Sequence, residues 1–143
     1  MTVAAIEAKI CGLRTARSVR SAVAGGAAYV GFVFYEPSPR YVTPEAAAAL
    51  AEAIPPAIKK VAVLVDADDE TIANITAQVP LDMVQLHGHE DPARVAEIRR
   101  HHGVAVMKSI SVADAADVER AAEFEACADR LLFDAKAPPA SAT

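Results

Sequence analysis

The chain alternates between six short apolar runs and Ala-rich helical stretches, and this alternation restricts the fold more than any other feature of the sequence. Each run is apolar on both faces, which is typical of parallel strands that helices cover. No hairpin signal joins one run to the next, so the pattern predicts a parallel α/β architecture. The predicted strands are Ala8–Gly12, Tyr29–Phe34, Val61–Val65, Met83–His87, Val104–Lys108 and Leu131–Asp134.

The helical stretches carry start and stop signals. Thr43 is a good N-cap residue, Pro44 suits the first helical position, and Glu45 places an acid in the first turn. Asp91 is likewise followed by proline, and Gly103 ends that helix just before the next strand. The predicted helices are Thr15–Ala24, the helix that begins at Thr43, Asp68–Ala77, Asp91–His101 and Val112–Glu123.

Polar residues collect where the predicted strands end, and both candidate architectures use that edge. A doubly wound sheet and a (βα)₈ barrel each place their active site at the carboxyl ends of the strands. The first strand runs into Cys11-Gly12-Leu13-Arg14, which lacks the GxGxxG of a dinucleotide fold. The sequence therefore favours an α/β fold of the (βα)₈ TIM-barrel type. The polar residues at or just beyond the strand ends are Cys11, Arg40, Asp66, Gln85, His87, Lys108 and Asp134.

Charge and cysteine content exclude several classes of protein. The net charge is −5 and no basic stripe is present, so the sequence does not predict nucleic-acid binding. Residues 1–9 lack the apolar run of a signal peptide, and no apolar stretch approaches the roughly 20 residues that cross a bilayer. Two cysteines, Cys11 and Cys127, make no disulfide framework. We therefore expect a cytoplasmic protein without a membrane partner.

Distinctive motifs are spread along the whole chain. They are Lys9-Ile10-Cys11-Gly12, Gly31-Phe32-Val33-Phe34-Tyr35, Ser38-Pro39-Arg40-Tyr41 with Thr43-Pro44-Glu45, Gln85-Leu86-His87-Gly88, and Leu132-Phe133-Asp134-Ala135-Lys136. Each motif alone is modest evidence, but their joint occurrence at strand ends is specific. In this order, the motifs resemble the phosphoribosylanthranilate isomerase family of tryptophan biosynthesis.

The resemblance implies an activity and two catalytic residues. The family converts N-(5′-phosphoribosyl)anthranilate into 1-(2-carboxyphenylamino)-1-deoxyribulose 5-phosphate by an Amadori rearrangement. The resemblance assigns Cys11 as the general base and Asp134 as the general acid. The residues alone are also consistent with a packing role for Cys11 and with a helix cap or a partner of Lys136 for Asp134. No metal or organic cofactor is implied, because the substrate's own nitrogen serves as the electron sink.

The resemblance also implies residues that bind the substrate. Arg40 follows the second strand and suits the anthranilate carboxylate through a two-pronged contact, although an exposed loop arginine without a partner is the alternative. Gln85 and His87 end the fourth strand and would line the pocket floor, although a structural histidine bonded to backbone fits as well. The segment His87–Asp91 has metal-ligand residue types without a recognised ligand spacing, so we expect no metal site.

The length of 143 residues is short for the expected architecture. A closed eight-stranded barrel usually takes about 250 residues. Residues 1–143 are therefore expected to be a single, incomplete TIM-barrel domain that contains the first six βα units. The glycine-rich phosphate site of the family would begin almost directly after Pro138-Pro139-Ala140.

Two interpretations of this length stay open. In the first, the chain belongs to an isomerase that continues beyond Thr143 and acts, as a monomer or a homodimer, on a phosphorylated sugar–anthranilate substrate. In the second, it is an inactive barrel fragment or an interaction module that lacks the phosphate site. Among enzymes, the other candidate is a different phosphate-binding barrel, such as an epimerase or a bifunctional sugar isomerase. Such enzymes usually employ paired carboxylates or a metal, whereas the first strand here ends at Cys11.

Overall fold

The computed structural model describes residues 4–137, which form one parallel β-sheet with helices between its strands. The strands are β1 (Lys9–Cys11), β2 (Tyr29–Val33), β3 (Lys59–Leu64), β4 (Met83–Leu86), β5 (Ala105–Val112) and β6 (Arg130–Ala135). Their order across the sheet is their order in the sequence, and every neighbouring pair is parallel. A doubly wound sheet reverses its strand order at a switch point. Within residues 4–137 the order never reverses, which argues against that architecture.

The helices begin at the capping residues. Each of the five α-helices within residues 4–137 starts after a Thr or Asp whose side chain accepts a hydrogen bond from a backbone N–H of the first turn. They are α1 (Ala16–Ala24), α2 (Pro44–Ala51), α3 (Asp69–Gln78), α4 (Pro92–His102) and α5 (Ala115–Arg120). Gly103 ends α4 with a φ of 58°, a left-handed conformation that favours glycine. Among the helices of residues 4–137, none is long and apolar enough to cross a membrane.

The predicted end of the fifth strand was wrong. β5 continues past Lys108 to Val112, which pairs with Ala135 of β6. The apolar run that marks this strand in the sequence is interrupted by Ser109 and Ser111, so the pattern hides its second half. Lys108 consequently lies inside β5 and not at its end.

The last predicted helix, Val112–Glu123, was too long at both ends. Its first residue is Ala115, because Asp114 caps the helix by accepting a hydrogen bond from the N–H of Asp117. After Arg120 the chain tightens into a 3₁₀ turn at Ala121–Phe124, which leads toward β6.

The sheet is curled. Neighbouring strands lie about 4.8 Å apart, so β2 and β6 would be separated by roughly 19 Å in a flat sheet. The guanidinium carbon of Arg130 on β6 nevertheless lies 5.4 Å from the ring centre of Tyr29 on β2. His87, just after β4, likewise approaches Asp134 on β6 across the concave side.

The two faces of the sheet pack against different partners. Val30, Phe32, Leu64 and Leu86 are among the residues that form the main core with the helices. A smaller cluster on the concave face contains Tyr29, Val61, Met83 and Met107. Because side chains alternate between faces along a strand, Gln85 shares the concave face with Met83, and Lys108 points toward the helices.

Aspartates tie neighbouring strands together at the amino-terminal edge of the sheet. Asp82, just before β4, accepts a hydrogen bond of 2.8 Å from the N–H of Lys60 and lies 3.7 Å from the Lys60 ammonium. Asp129, just before β6, accepts a 2.8 Å hydrogen bond from the N–H of Val106 and pairs with Arg99 at 2.9 Å. These contacts stabilise the edge opposite to the one where the polar residues of interest lie.

We expect Asp69→Asn to lower the thermal unfolding midpoint at neutral pH and to lose this effect in acid. Asp69 Oδ1 lies 3.0 Å from His102 Nε2 and 3.0 Å from Arg94 Nη1, which links α3 to α4. The hydrogen bond from His102 has the largest effect and that from Arg94 the next largest, and together they hold the pKa of Asp69 below its usual value near 3.8. A lowered carboxyl pKa stabilises the fold above that value, and the contribution disappears as pH falls through the folded-state pKa.

Melting curves measured from pH 7 downward check this expectation. Wild type and Asp69→Asn should differ at neutral pH, and the difference should shrink as pH falls below about 3.8. Glu70→Gln is the matched control, since Glu70 lies on the same helical turn and makes no ion pair among residues 4–137. A difference for Asp69→Asn that stays constant with pH would contradict the assignment.

Candidate active site

Gln85 and His87 lie next to each other on the concave face at the carboxyl end of β4. Gln85 Nε2 is 3.2 Å from His87 Nδ1, and Gln85 is 3% exposed. Its Oε1 is buried and has no hydrogen-bond partner among residues 4–137. A buried amide oxygen without a partner costs free energy, so it is a candidate to receive a donor from a bound molecule.

Asp134 meets His87 from the other side of the concave face. Its Oδ2 lies 3.5 Å from His87 Nε2, an ion-pair distance longer than a hydrogen bond. The carboxyl side chain is 52% exposed, so residues 4–137 leave it accessible to solvent. Among those residues, Asp134 makes no ion pair with Lys136, which removes one of the structural alternatives for this residue.

Cys11 lies at the end of β1, with its thiol against Gly31 of β2. The two residues are register partners, and a Cβ built on Gly31 would lie 2.9 Å from Cys11 Sγ. Only glycine therefore leaves room for the thiol at this position. The sequence did not single out Gly31 by itself, although it lies in the motif Gly31–Tyr35 that carried part of the resemblance.

Arg40 lies close to Cys11 through the turn at Gly12. A Cβ on Gly12 would lie 2.6 Å from Arg40 Cδ and 2.8 Å from Arg40 Nη1, so the guanidinium crosses directly over this turn. Gly12 has a φ of 81°, which also favours glycine. Arg14 holds the Arg40 loop in place by donating a 2.6 Å hydrogen bond to the carbonyl of Pro39.

A small polar cavity of about 240 Å³ lies beside this site, between the loops that follow β3 and β4. Asp66 accepts a 2.7 Å hydrogen bond from the N–H of His89 and lies 3.1 Å from its Nδ1. Burial raises the pKa of Asp66. The hydrogen bonds from His89, together with the charges of His89 and Lys108, lower it by more, so the net pKa falls below its usual value. Within residues 4–137, no three metal-ligand side chains come together there or elsewhere.

Cys127 is a packing residue. It belongs to the main core, and its Sγ donates a 3.4 Å hydrogen bond to the carbonyl of Phe124. Burial raises the pKa of the Cys127 thiol, which suppresses the reactive thiolate.

Gly88→Ala is expected to lower the free energy of unfolding by about 1–3 kcal/mol, the usual cost of overpacking. A Cβ on Gly88 would lie 2.6 Å from Asp66 Cγ and 2.7 Å from Asp66 N, so backbone must move. Urea denaturation followed by circular dichroism measures the change. Gly25→Ala is the control, because the closest atom to its new Cβ would be the carbonyl oxygen of Ser21 at 3.2 Å. Equal losses of stability in both variants would contradict the steric argument.

Comparison with known proteins places this arrangement in a family. The sequence model of the family N-(5′-phosphoribosyl)anthranilate (PRA) isomerase matches residues 8–140. The chain belongs to this family. The resemblance of the motifs is thereby confirmed.

Individual PRA isomerases are similar over most of this chain. The N-(5′-phosphoribosyl)anthranilate isomerase of Rhodospirillum centenum is 53% identical over 133 residues, which are 93% of this chain and 62% of the relative. The crystal structure of the Thermotoga maritima isomerase has a TM-score of 0.86 and 34% identity, and the match covers 94% of this chain and 63% of that one. This chain thus spans somewhat less than two thirds of the length of these PRA isomerases.

A further solved PRA isomerase contains a ligand. It is in complex with reduced 1-(o-carboxyphenylamino)-1-deoxyribulose 5-phosphate, with a TM-score of 0.84, 34% identity and coverage of 92% of this chain and 66% of that one. The parallel α/β fold of residues 4–137 is therefore the fold of solved members of the family.

Proposed function

We propose that this chain is part of a (βα)₈ barrel that isomerises N-(5′-phosphoribosyl)anthranilate to 1-(2-carboxyphenylamino)-1-deoxyribulose 5-phosphate. Membership of the PRA isomerase family supports the proposal. The observation that carries it is the approach of His87 and Asp134 across the concave face, 3.5 Å apart, at the carboxyl ends of the strands. In this proposal, residues 1–143 belong to a single barrel domain.

Asp134 acts as the general acid in the first step. It donates a proton to the furanose ring oxygen while the bond between this oxygen and C1′ breaks. The lone pair of the anthranilate nitrogen forms a double bond to C1′, so the open-chain product is an iminium ion. The position of Asp134, half exposed and facing His87, leaves its carboxyl accessible to a bound sugar.

Cys11 acts as the general base in the second step. Its thiolate removes the proton from C2′, the electrons of that bond form C1′=C2′, and the iminium electrons return to nitrogen. The enolamine then tautomerises to the ketone. The nitrogen of the substrate donates its lone pair in the first step and regains it in the second, so the reaction is balanced without an added oxidant or reductant.

Arg40, Gln85 and His87 bind and orient the substrate. The Arg40 guanidinium crosses the turn after Cys11 and suits a planar carboxylate such as that of anthranilate. The unpaired Oε1 of Gln85 suits a sugar hydroxyl, and the His87 ring lies between Gln85 and the proposed acid. The protein is proposed to work in the cytoplasm, as a monomer or a homodimer.

Loss of substrate fluorescence, with freshly generated phosphoribosylanthranilate, tests this function. The assay compares the 143-residue chain, the protein as its gene encodes it, and this chain joined to the part of the Rhodospirillum centenum isomerase beyond the matched region. We expect turnover from the joined chain, and none from the same chain with Asp134→Asn. Absence of turnover from a folded joined chain and from the encoded protein would refute the proposal and favour an inactive fragment or an interaction module.

A further inference from the structure

A buried ion pair lies behind the loop that carries His87. Lys108 Nζ and Glu90 Oε1 are 3.1 Å apart, and the two side chains are 4% and 2% exposed. Lys108 points toward the helices, away from the concave face. Desolvation of two charges offsets most of their attraction, so stability alone is a weak reason for such a pair in an otherwise apolar layer.

The pair is bonded to the backbone on both sides of His87. The Lys108 ammonium donates to the carbonyls of Leu86, at 3.4 Å, and Gly88, at 2.9 Å. Glu90 Oε1 accepts a 2.9 Å hydrogen bond from the N–H of Gly88. The N–H of His87 itself donates to the carbonyl of Leu64 at 2.8 Å. The backbone from residue 86 to residue 88 is therefore held from several directions, which fixes the direction of the His87 Cα–Cβ bond.

The same pair joins the neighbouring elements. Glu90 Oε2 accepts a 2.9 Å hydrogen bond from the N–H of Asp66, which has a φ of 49° in the loop after β3. The Lys108 ammonium lies 5.6 Å from the ring centre of Phe124, in the 3₁₀ turn that precedes β6. The pair thus contacts both the loop that carries His87 and the segment that leads to the strand of Asp134.

We propose that Lys108 and Glu90 are positioning residues that aim the His87 imidazole at Asp134. Two polar side-chain contacts of the imidazole are found among residues 4–137, at 3.2 Å to Gln85 Nε2 and 3.5 Å to Asp134 Oδ2. These contacts alone do not fix the orientation of the ring, which therefore depends on the position of the His87 backbone. The Lys108–Glu90 pair holds that backbone in place. The consequence for turnover rests on the proposed function, whereas the consequence for the His87 ring does not.

Nitrogen NMR of the histidine side chains in the 143-residue chain tests the positioning directly. Glu90→Gln removes the charge and cannot accept from both Asp66 and Gly88, so we expect the His87 ring resonances to shift and broaden. The His87→Asn spectrum identifies which resonances belong to His87. Asp82→Asn is the matched control, because it breaks a Lys–Asp pair at the opposite edge of the sheet, and it should leave the His87 resonances in place.

Glu90→Asp keeps the charge and withdraws the carboxylate by one methylene group, so it provides a folded variant if Glu90→Gln does not fold. It should also displace the His87 resonances, by less than Glu90→Gln. The proposal is overturned if no folded Glu90 variant moves the His87 resonances more than Asp82→Asn does.

Turnover separates positioning from general stability. In the active form of the protein, Glu90→Gln should lower kcat by up to about 10²-fold, the cost of a small misplacement at the reacting groups, with little change in KM. In a His87→Asn background the same change should have no further effect on kcat, because the group through which it acts is absent. Independent, multiplying effects would overturn the proposal. Shifted His87 resonances in a protein without isomerase activity would instead refute the proposed function and leave the positioning intact.

Discussion

Asp134→Asn is expected to lower turnover of N-(5′-phosphoribosyl)anthranilate by about 10²- to 10⁴-fold, the usual contribution of a general acid. Asparagine keeps the shape of the side chain but has no proton to give to the ring oxygen. The carboxyl is 52% exposed, and its ion-pair contact with His87 Nε2 is 3.5 Å long, so the change removes no buried interaction. Initial rates of fluorescence loss measure the effect, and urea denaturation should show an unchanged free energy of unfolding.

Asp129→Asn is the matched control at the other end of the same strand. Asp129 accepts the N–H of Val106 and pairs with Arg99, so its replacement should lower the free energy of unfolding by about 1–2 kcal/mol. Its distance from the concave site should leave the kcat of the folded protein unchanged. Near-normal turnover in Asp134→Asn, or an equal loss in both variants, would remove Asp134 from the role of acid.

The sequence predicted the parallel α/β arrangement of strands and helices because these elements are encoded locally. Each α-helix is preceded by a Thr or Asp that caps it in the structure, and all six apolar runs form strands. The predicted end of a strand was wrong where polar residues face the concave side, as Ser109 and Ser111 do in β5. There a strand no longer shows a continuous apolar run, because one face is not covered by helices.

The site was predictable only as a set of residue types at strand ends. The motifs offered Gln85, His87 and Asp134 as candidates, but only the curl of the sheet brings β4 and β6 close enough for His87 and Asp134 to meet. The sequence also wrongly placed Lys108 at the end of a strand. It lies in the middle of β5, on the opposite face of the sheet, and contacts Glu90. Such contacts join residues distant in the chain, and no local pattern in one sequence encodes them.

Cys11→Ala is expected to remove most of the turnover, by about 10²- to 10⁴-fold, because alanine has no group that can take the C2′ proton. The fold should remain intact, since Cys11 is half-buried and alanine fits against Gly31 with room to spare. Cys11→Ser is the stricter test: it keeps an oxygen donor near the same place, but a hydroxyl is a far weaker base than a thiolate near neutral pH. The initial rates of Cys11→Ala and Cys11→Ser should fall by similar factors.

Cys127→Ala separates the base from a general effect of thiol loss. Its thiol is buried in the main core, so the variant should lose about 1 kcal/mol of stability and keep its turnover. Alkylation gives an independent readout: iodoacetamide should modify the partly exposed Cys11 first, and reduced 1-(o-carboxyphenylamino)-1-deoxyribulose 5-phosphate should protect it. If turnover survives complete modification of Cys11, the proton is taken by another group, and the acid–base pair must be sought around His87 and Asp134 instead.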